Sequence, residues 1–149
     1  MALHLTNFNG TSTGPRTQFS YFKAGHAVRF ASDGGDFQFA PYSPTPSGWG
    51  TRSLVIAPNP VGDAHPKLFV QFDKPVQQVT VKCVPKPGGT PNSQRAVYRR
   101  ADGSVYNWDE GPDESGTLTL GVSPNSAGIS SVEYIDCGAL DNFGFAPKE

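Results

Sequence analysis

Cys137-Gly-Ala-Leu-Asp-Asn-Phe-Gly-Phe145 places Asp141, Phe143 and Phe145 at one parity. Side chains of a β-strand alternate between faces, so a strand here predicts all three on one side. Two of the three are large aromatics, which makes that side the core face. A carboxylate in line with them would be partly buried. A buried charge is costly unless it is paired, hydrogen-bonded or bound to a metal. Asp141 is therefore either a turn cap at the wet end of the strand or a structural calcium ligand. The stretch by itself leaves both open.

Outward from it, the chain has the length of a single domain, residues 1–149 with a core over roughly 3–145. Gly (17) and Pro (14) are abundant, yet 10 Phe, 5 Tyr and 2 Trp argue against disorder and for short strands joined by many turns. Charge is nearly balanced, 12 basic against 13 acidic residues, and the Arg95, Arg99, Arg100 cluster is short. A nucleic-acid partner has little support. No run of 18 apolar residues occurs, so no membrane insertion by a helix is expected. Met1-Ala-Leu-His-Leu-Thr-Asn7 lacks the basic and apolar regions of a signal peptide. Cys83 and Cys137 fall in separate predicted strands; they pair if those strands are neighbours in suitable geometry, and otherwise stay as two buried thiols, the expectation adopted.

Alternation recurs along the chain: Leu3 and Leu5, Val28 and Phe30, then Leu68, Val70 and Phe72. It is clearest from Val76 to Val84, with Val79, Val81 and Cys83 inward and Thr80 and Lys82 outward. Asp73-Lys-Pro75 reads as a turn between these last two strands, and Ala101-Asp-Gly103 as a hairpin tip. About ten short strands with no helical period predict an antiparallel sandwich or barrel without substantial helix.

Four segments carry a resemblance. Phe72-Asp-Lys-Pro-Val-Gln-Gln-Val-Thr-Val81, Ala96-Val-Tyr-Arg-Arg-Ala-Asp-Gly103, Gly128-Ile-Ser-Ser-Val-Glu-Tyr134 and Ala139-Leu-Asp-Asn-Phe-Gly-Phe145 resemble, in this order, strand and hairpin patterns of galactose-binding-domain-like jelly rolls. That group includes many carbohydrate-binding modules and PEP-CTERM-type extracellular domains. The resemblance implies a jelly-roll β-sandwich, an extracellular or cell-surface address and a structural calcium. Asp141 matches the calcium position on the closing strand. Where the family carries Asp-Phe-Glu, this chain has Asn7-Phe-Asn9, which lowers the charge of the site. Asn9, Asp33, Asp36 and Asp141 form the expected metal set; the alternative for Asp33-Gly-Gly-Asp36 is a plain hairpin turn.

An enzyme is not expected. His4 and His26 fall on strands opposite apolar neighbours, which predicts exposed sheet positions, and His65 precedes Pro66 in a loop. No nucleophile elbow, P-loop or dinucleotide fingerprint occurs. Asp109, Glu110, Asp113 and Glu114 cluster around Trp108, as a glycosidase pair or as a solvated acidic turn; the turn is adopted. Sugar binding needs an aromatic platform with planar hydrogen-bonding groups around it. Tyr42 and Trp49, or Tyr106 and Trp108, are candidate platforms, with Asn59, Asp63, Gln94, Arg99 and Asn107 as polar partners. The expectation is a non-catalytic carbohydrate-binding module with calcium as structural ion. The alternatives are a structural or adhesion module of a surface or phage particle and, more weakly, a glycan-cleaving enzyme.

Overall fold

The computed structural model describes residues 3–6, 8, 15–16, 18–32, 37–40, 49–50, 53–56, 67–86, 90 and 92–148, without the side chains of 15, 16, 38, 40, 56 and 107–110. All regular structure among them is β: β1 (His4–Thr6), β2 (Pro15–Arg16), β3 (Gln18–Lys23), β4 (His26–Ser32), β5 (Phe37–Ala40), β6 (Ser53–Ile56), β7 (Lys67–Pro85), β8 (Arg95–Arg99), β9 (Val105–Glu110), β10 (Thr117–Gly121), β11 (Ile129–Ile135) and β12 (Cys137–Pro147). Every pairing is antiparallel.

Asp73-Lys-Pro75 does not turn the chain. β7 runs on through it as one strand of 19 residues. Its first half lies between β4 and β11, and its second half between β10 and β12. The inward set changes parity on the way, from Leu68, Val70 and Phe72 to Val79, Val81 and Cys83, with Val76 and Gln77 both buried at the change. The register with β11 shifts there: Val76 faces Ile129, and the next pair is Gln71 with Ser131, so residues 72–75 oppose no β11 residue. A bulge of this kind tolerates proline, because no ladder bond is asked of its missing N–H.

β7 thereby joins two strand arrays. One runs β3-β4-β7-β11-β8-β9; the other holds β10, β7, β12, β6, β5 and β2, with β1 also on β12. Aromatic rings from both meet in one core. Phe143 of β12 stands edge-on to Phe30 of β4 at 5.1 Å and stacks on Phe72 of β7 at 6.2 Å. Phe19 of β3 meets Phe39 of β5 at 4.9 Å, and Phe8 fills the space between Phe30 and Phe39. Offset and edge-on ring contacts add about 0.5–1.5 kcal/mol each beyond the area they bury.

The shared parity of Asp141, Phe143 and Phe145 does not survive in β12. Asp141 pairs with Lys82, but the next pair is Gly144 with Thr80, so β12 carries one extra residue. Asn142 absorbs it with φ +52°. Leu140, opposite Cys83, and Phe143 and Phe145 face the core; Asp141 shares the opposite face with Lys82. His26 is also not on an exposed position. It is 7 % exposed, its Nδ1 lies 2.9 Å from the Ala24 carbonyl, and its ring packs on Phe145. Cys83 and Cys137, on the neighbouring β7 and β12, are buried free thiols. Burial, and then a hydrogen bond with Cys83, pushes the Cys137 thiol well above its usual range.

Two positions translate this geometry into measurements. Gly128 leads into β11 at φ +86°, where a Cβ would stand 2.7 Å from the Pro75 Cβ and 3.2 Å from the Val76 carbonyl. Gly128→Ala is expected to cost about 2 kcal/mol or more. Gly103→Ala, at φ +87° but in open space, pays the backbone cost alone. Urea midpoints decide it: equal shifts for the two variants would contradict the packing at the bulge. Burial also pushes the Tyr21 hydroxyl up to about 12. Unfolded tyrosine ionises from about pH 10, while the folded chain holds this proton to about 12, so stability is expected to fall with pH across that window. Tyr21→Phe should flatten the fall in melting temperature there.

Candidate functional site

Alternation turns Phe30, Val70 and Val132 to the core, and on the outer face of the β3-β4-β7-β11-β8 array register sets one line of polar side chains. Ser20 pairs with Arg29, Arg29 with Gln71, Gln71 with Ser131, and Ser131 with Arg99. At the strand spacing of about 4.8 Å, this row crosses roughly 19 Å of surface. The Arg29 Nε donates to the Gln18 Oε1 at 3.1 Å. One step along the strands, Phe22 pairs with Ala27. The Ala27 N–H donates to the Asp73 Oδ1 at 2.9 Å, which fixes that carboxylate beside Gln71 on the same face.

Phe22 is the most exposed large hydrophobic residue of the described chain, at 72 %. The hairpin explains it: Gln18, Ser20 and Phe22 share the outer parity of β3, while Phe19 and Tyr21 turn to the core. Two open grooves lie on this face. One, of about 310 Å³, is lined by Ser20, Ala27, Arg29, Gln71 and Asp73 among others. The second, of about 390 Å³, continues past Gln71 and Asp73 to Ser130, Ser131, Arg100 and Gly103.

Beside the row, Glu133 is 7 % exposed and would be costly unpaired. The Arg99 Nη1 donates to its Oε1 at 2.8 Å, and the Lys67 Nζ lies 3.6 Å from its Oε2. At the far groove, the Arg100 Nη1 donates to the Ser104 Oγ and the Val105 carbonyl, and the guanidinium sits 3.8 Å from the centre of the Tyr106 ring.

Of the expected ligand-binding residues, the structure sets Arg99 in the polar row. Gln94 is instead buried, its Nε2 donating to the Cys83 carbonyl, and the Asn107 side chain falls outside the description. Tyr106 is not beside the row as a platform: it packs against the core, its ring face is covered by Arg100, and its hydroxyl is buried with no hydrogen-bond partner among the described residues. Trp49 is half-buried and precedes Gly50, whose N–H reaches β12, away from the row. Trp108 lies in β9, but its side chain falls outside the description. Tyr42, Asn59 and Asp63 lie outside the described residues, as do His65 and the metal candidates Asn9, Asp33 and Asp36. In the acidic segment, Asp113 caps a turn, accepting from the Ser115 and Thr117 N–H groups and the Ser115 hydroxyl, and these bonds hold its carboxyl below the usual range.

Asp141 is fully buried. Its Oδ2 accepts the Gly50 N–H at 2.7 Å and its Oδ1 the Asn142 N–H at 2.8 Å. Among the described residues no group of three or more His, Cys, Asp or Glu side chains could hold a metal ion. No described helix is long and apolar enough to cross a membrane. Phe22, Arg29, Gln71 and Asp73 were not among the expected site residues. The signal for Phe22 was present, an aromatic on the polar parity of Gln18–Lys23.

No protein-family model matches the chain, and no curated protein is similar to it.

The buried carboxylate yields a direct expectation. Asp141→Ala should cost about 2–3 kcal/mol, because it removes two charge-assisted acceptors and leaves the Gly50 N–H unsatisfied. Chemical denaturation measures it, and a loss under about 0.5 kcal/mol would show that the bond to Gly50 carries little of the fold.

Proposed function

We propose that the protein is a non-catalytic carbohydrate-binding module whose sugar lies on the outer face of β3, β4, β7, β11 and β8. The observation that carries this is an exposed Phe22 beside a line of planar and hydroxyl-bearing side chains, Ser20, Arg29, Gln71 and Asp73. A pyranose presents a flat apolar face and a rim of hydroxyls. An aromatic ring covers the first, while amide, guanidinium and carboxylate groups meet the second. Charge-balanced composition and shallow, open grooves suit a ligand that is chain-like and strongly hydrated.

The proposal includes a β-sandwich of jelly-roll type, supported by two strand arrays that share β7 and meet across one aromatic core. It also includes an extracellular or cell-surface address and calcium as a structural ion. Asp141 would supply one carboxylate, each oxygen of which accepts one N–H and keeps a second lone pair. Asn9, Asp33 and Asp36 are the partners proposed for it.

A second reading has its own observation. Leu3, Leu5 and Phe22 are exposed, at 39 %, 52 % and 72 %, and suit a structural or adhesion module that contacts protein.

Titration against plant, bacterial and host glycans separates the two. Binding by the wild type with a roughly three- to tenfold loss for Phe22→Ala is expected. No glycan bound across the three sets would remove the sugar and leave the protein-contact reading. For the ion, melting in calcium and in EGTA should differ for the wild type and coincide for Asp141→Asn; equal melting of the wild type in both would drop calcium from the proposal.

A further inference from the structure

The two grooves on the outer face are one track. Gln71, Phe72 and Asp73 line both, so the concavity runs from Ser20 on β3 to Gly103 at the tip of the β8–β9 hairpin. Charge along it is ordered. Arg29 stands in the first groove, Arg100 in the second, and Asp73 in the stretch they share. The arginine forks are only partly used. Arg29 donates through Nε to Gln18, and Arg100 through Nη1 to Ser104 and Val105. Each keeps donors for a ligand. Glu133 is already neutralised by Arg99 and Lys67, and Asp102, the carboxylate near Arg100, is held by the Ser104 N–H and hydroxyl. Arg29 and the end of β8 are three strand spacings apart, about 14 Å. This positive–negative–positive order stands on a chain whose net charge is −1.

We propose that the track takes a linear glycan with anionic groups at intervals, one meeting Arg29 and another meeting Arg100, with uncharged hydroxyls at Asp73 between them. The proposal rests on the sugar-binding reading and names its ligand class. Guanidinium binds carboxylate or sulfate through paired, charge-assisted hydrogen bonds. Asp73 adds discrimination, since a polymer charged on every unit would set an anion against it. Carboxylates of uronic acids and sulfate esters share this chemistry.

Calorimetric titration with defined probes tests it: hyaluronan (carboxylate on alternate units), kappa-carrageenan (sulfate on alternate units), polygalacturonate (carboxylate on every unit) and a neutral β-glucan. Hyaluronan or kappa-carrageenan should bind at least about tenfold more tightly than the other two, and weaken as salt rises from about 50 to about 500 mM. Hyaluronan alone assigns the carboxylate; kappa-carrageenan alone assigns the sulfate. Arg29→Gln and Arg100→Gln should each lose about tenfold, and Lys148→Gln nothing. Arg29 is exposed, so Arg29→Gln should melt with the wild type and carries the test even if Arg100→Gln disturbs the hairpin. Neutral glucan or polygalacturonate bound as tightly as the alternating polymers, or an unchanged Arg29→Gln, would overturn the inference and leave the sugar reading standing. No binding of any glycan would remove both.

Discussion

One strand supports both halves of this molecule, and it does so by changing phase. Over Lys67–Phe72 the even-numbered side chains of β7 enter the core; over Val79–Cys83 the odd-numbered ones do. The slip at residues 72–75 lets a single backbone serve as the middle of two arrays whose inner faces look in different directions. Without it, a straight strand of 19 residues would present its second half's apolar set to water. The aromatic core between Phe30, Phe72 and Phe143 exists because β7 carries its partners from one side to the other.

The candidate site follows from the same arrangement. Gln71, just before the slip, and Asp73, within it, are exposed residues of β7 on the outer face. Their neighbours on β4 and β11 are held by register, so the polar row is set by backbone pairing and not by loops. A row on paired strands is stiff. Backbone pairing spaces Ser20, Arg29, Gln71, Ser131 and Arg99 in advance, which would lower the ordering cost of a ligand bound there.

The strands of this chain were legible where alternation is plain, as at Val79-Thr-Val-Lys-Cys83 and the Asp102-Gly103 hairpin. What escaped was phase. Pro75 looks like a stop because proline ends most strands, yet here it sits where no hydrogen bond is needed. In β12, Asp141 and Phe143 share a parity on paper, and only the extra residue at Asn142 separates their faces. The β7 slip does mark the hydrophobic pattern, as the step from even to odd inward positions between Phe72 and Val79, but such a step reads equally as two strands joined by a turn. The site was less legible still. Arg99 is an expected residue that stands in the row, whereas Arg29 and Gln71 sit in sequence 42 positions apart and become neighbours only through β4–β7 pairing. Phe22, a ring on β3, carries no loop context and stands out by its exposure in the folded sheet.

The pairing of β1 with β12 sets a kinetic consequence. His4 lies opposite Phe145, across nearly the whole length of the chain, and β12 also pairs along β7. The β3–β4 and β8–β9 hairpins close over short loops and can form in microseconds. Joining them requires the distant segments to find one another, at an entropy cost that local contacts do not repay in advance. The folding barrier is thus the search for the central pair, β7 with β12. Until β7 has also docked between β4 and β11, Gln71 is missing from the middle of the polar row, so the row is complete only once these distant segments have met.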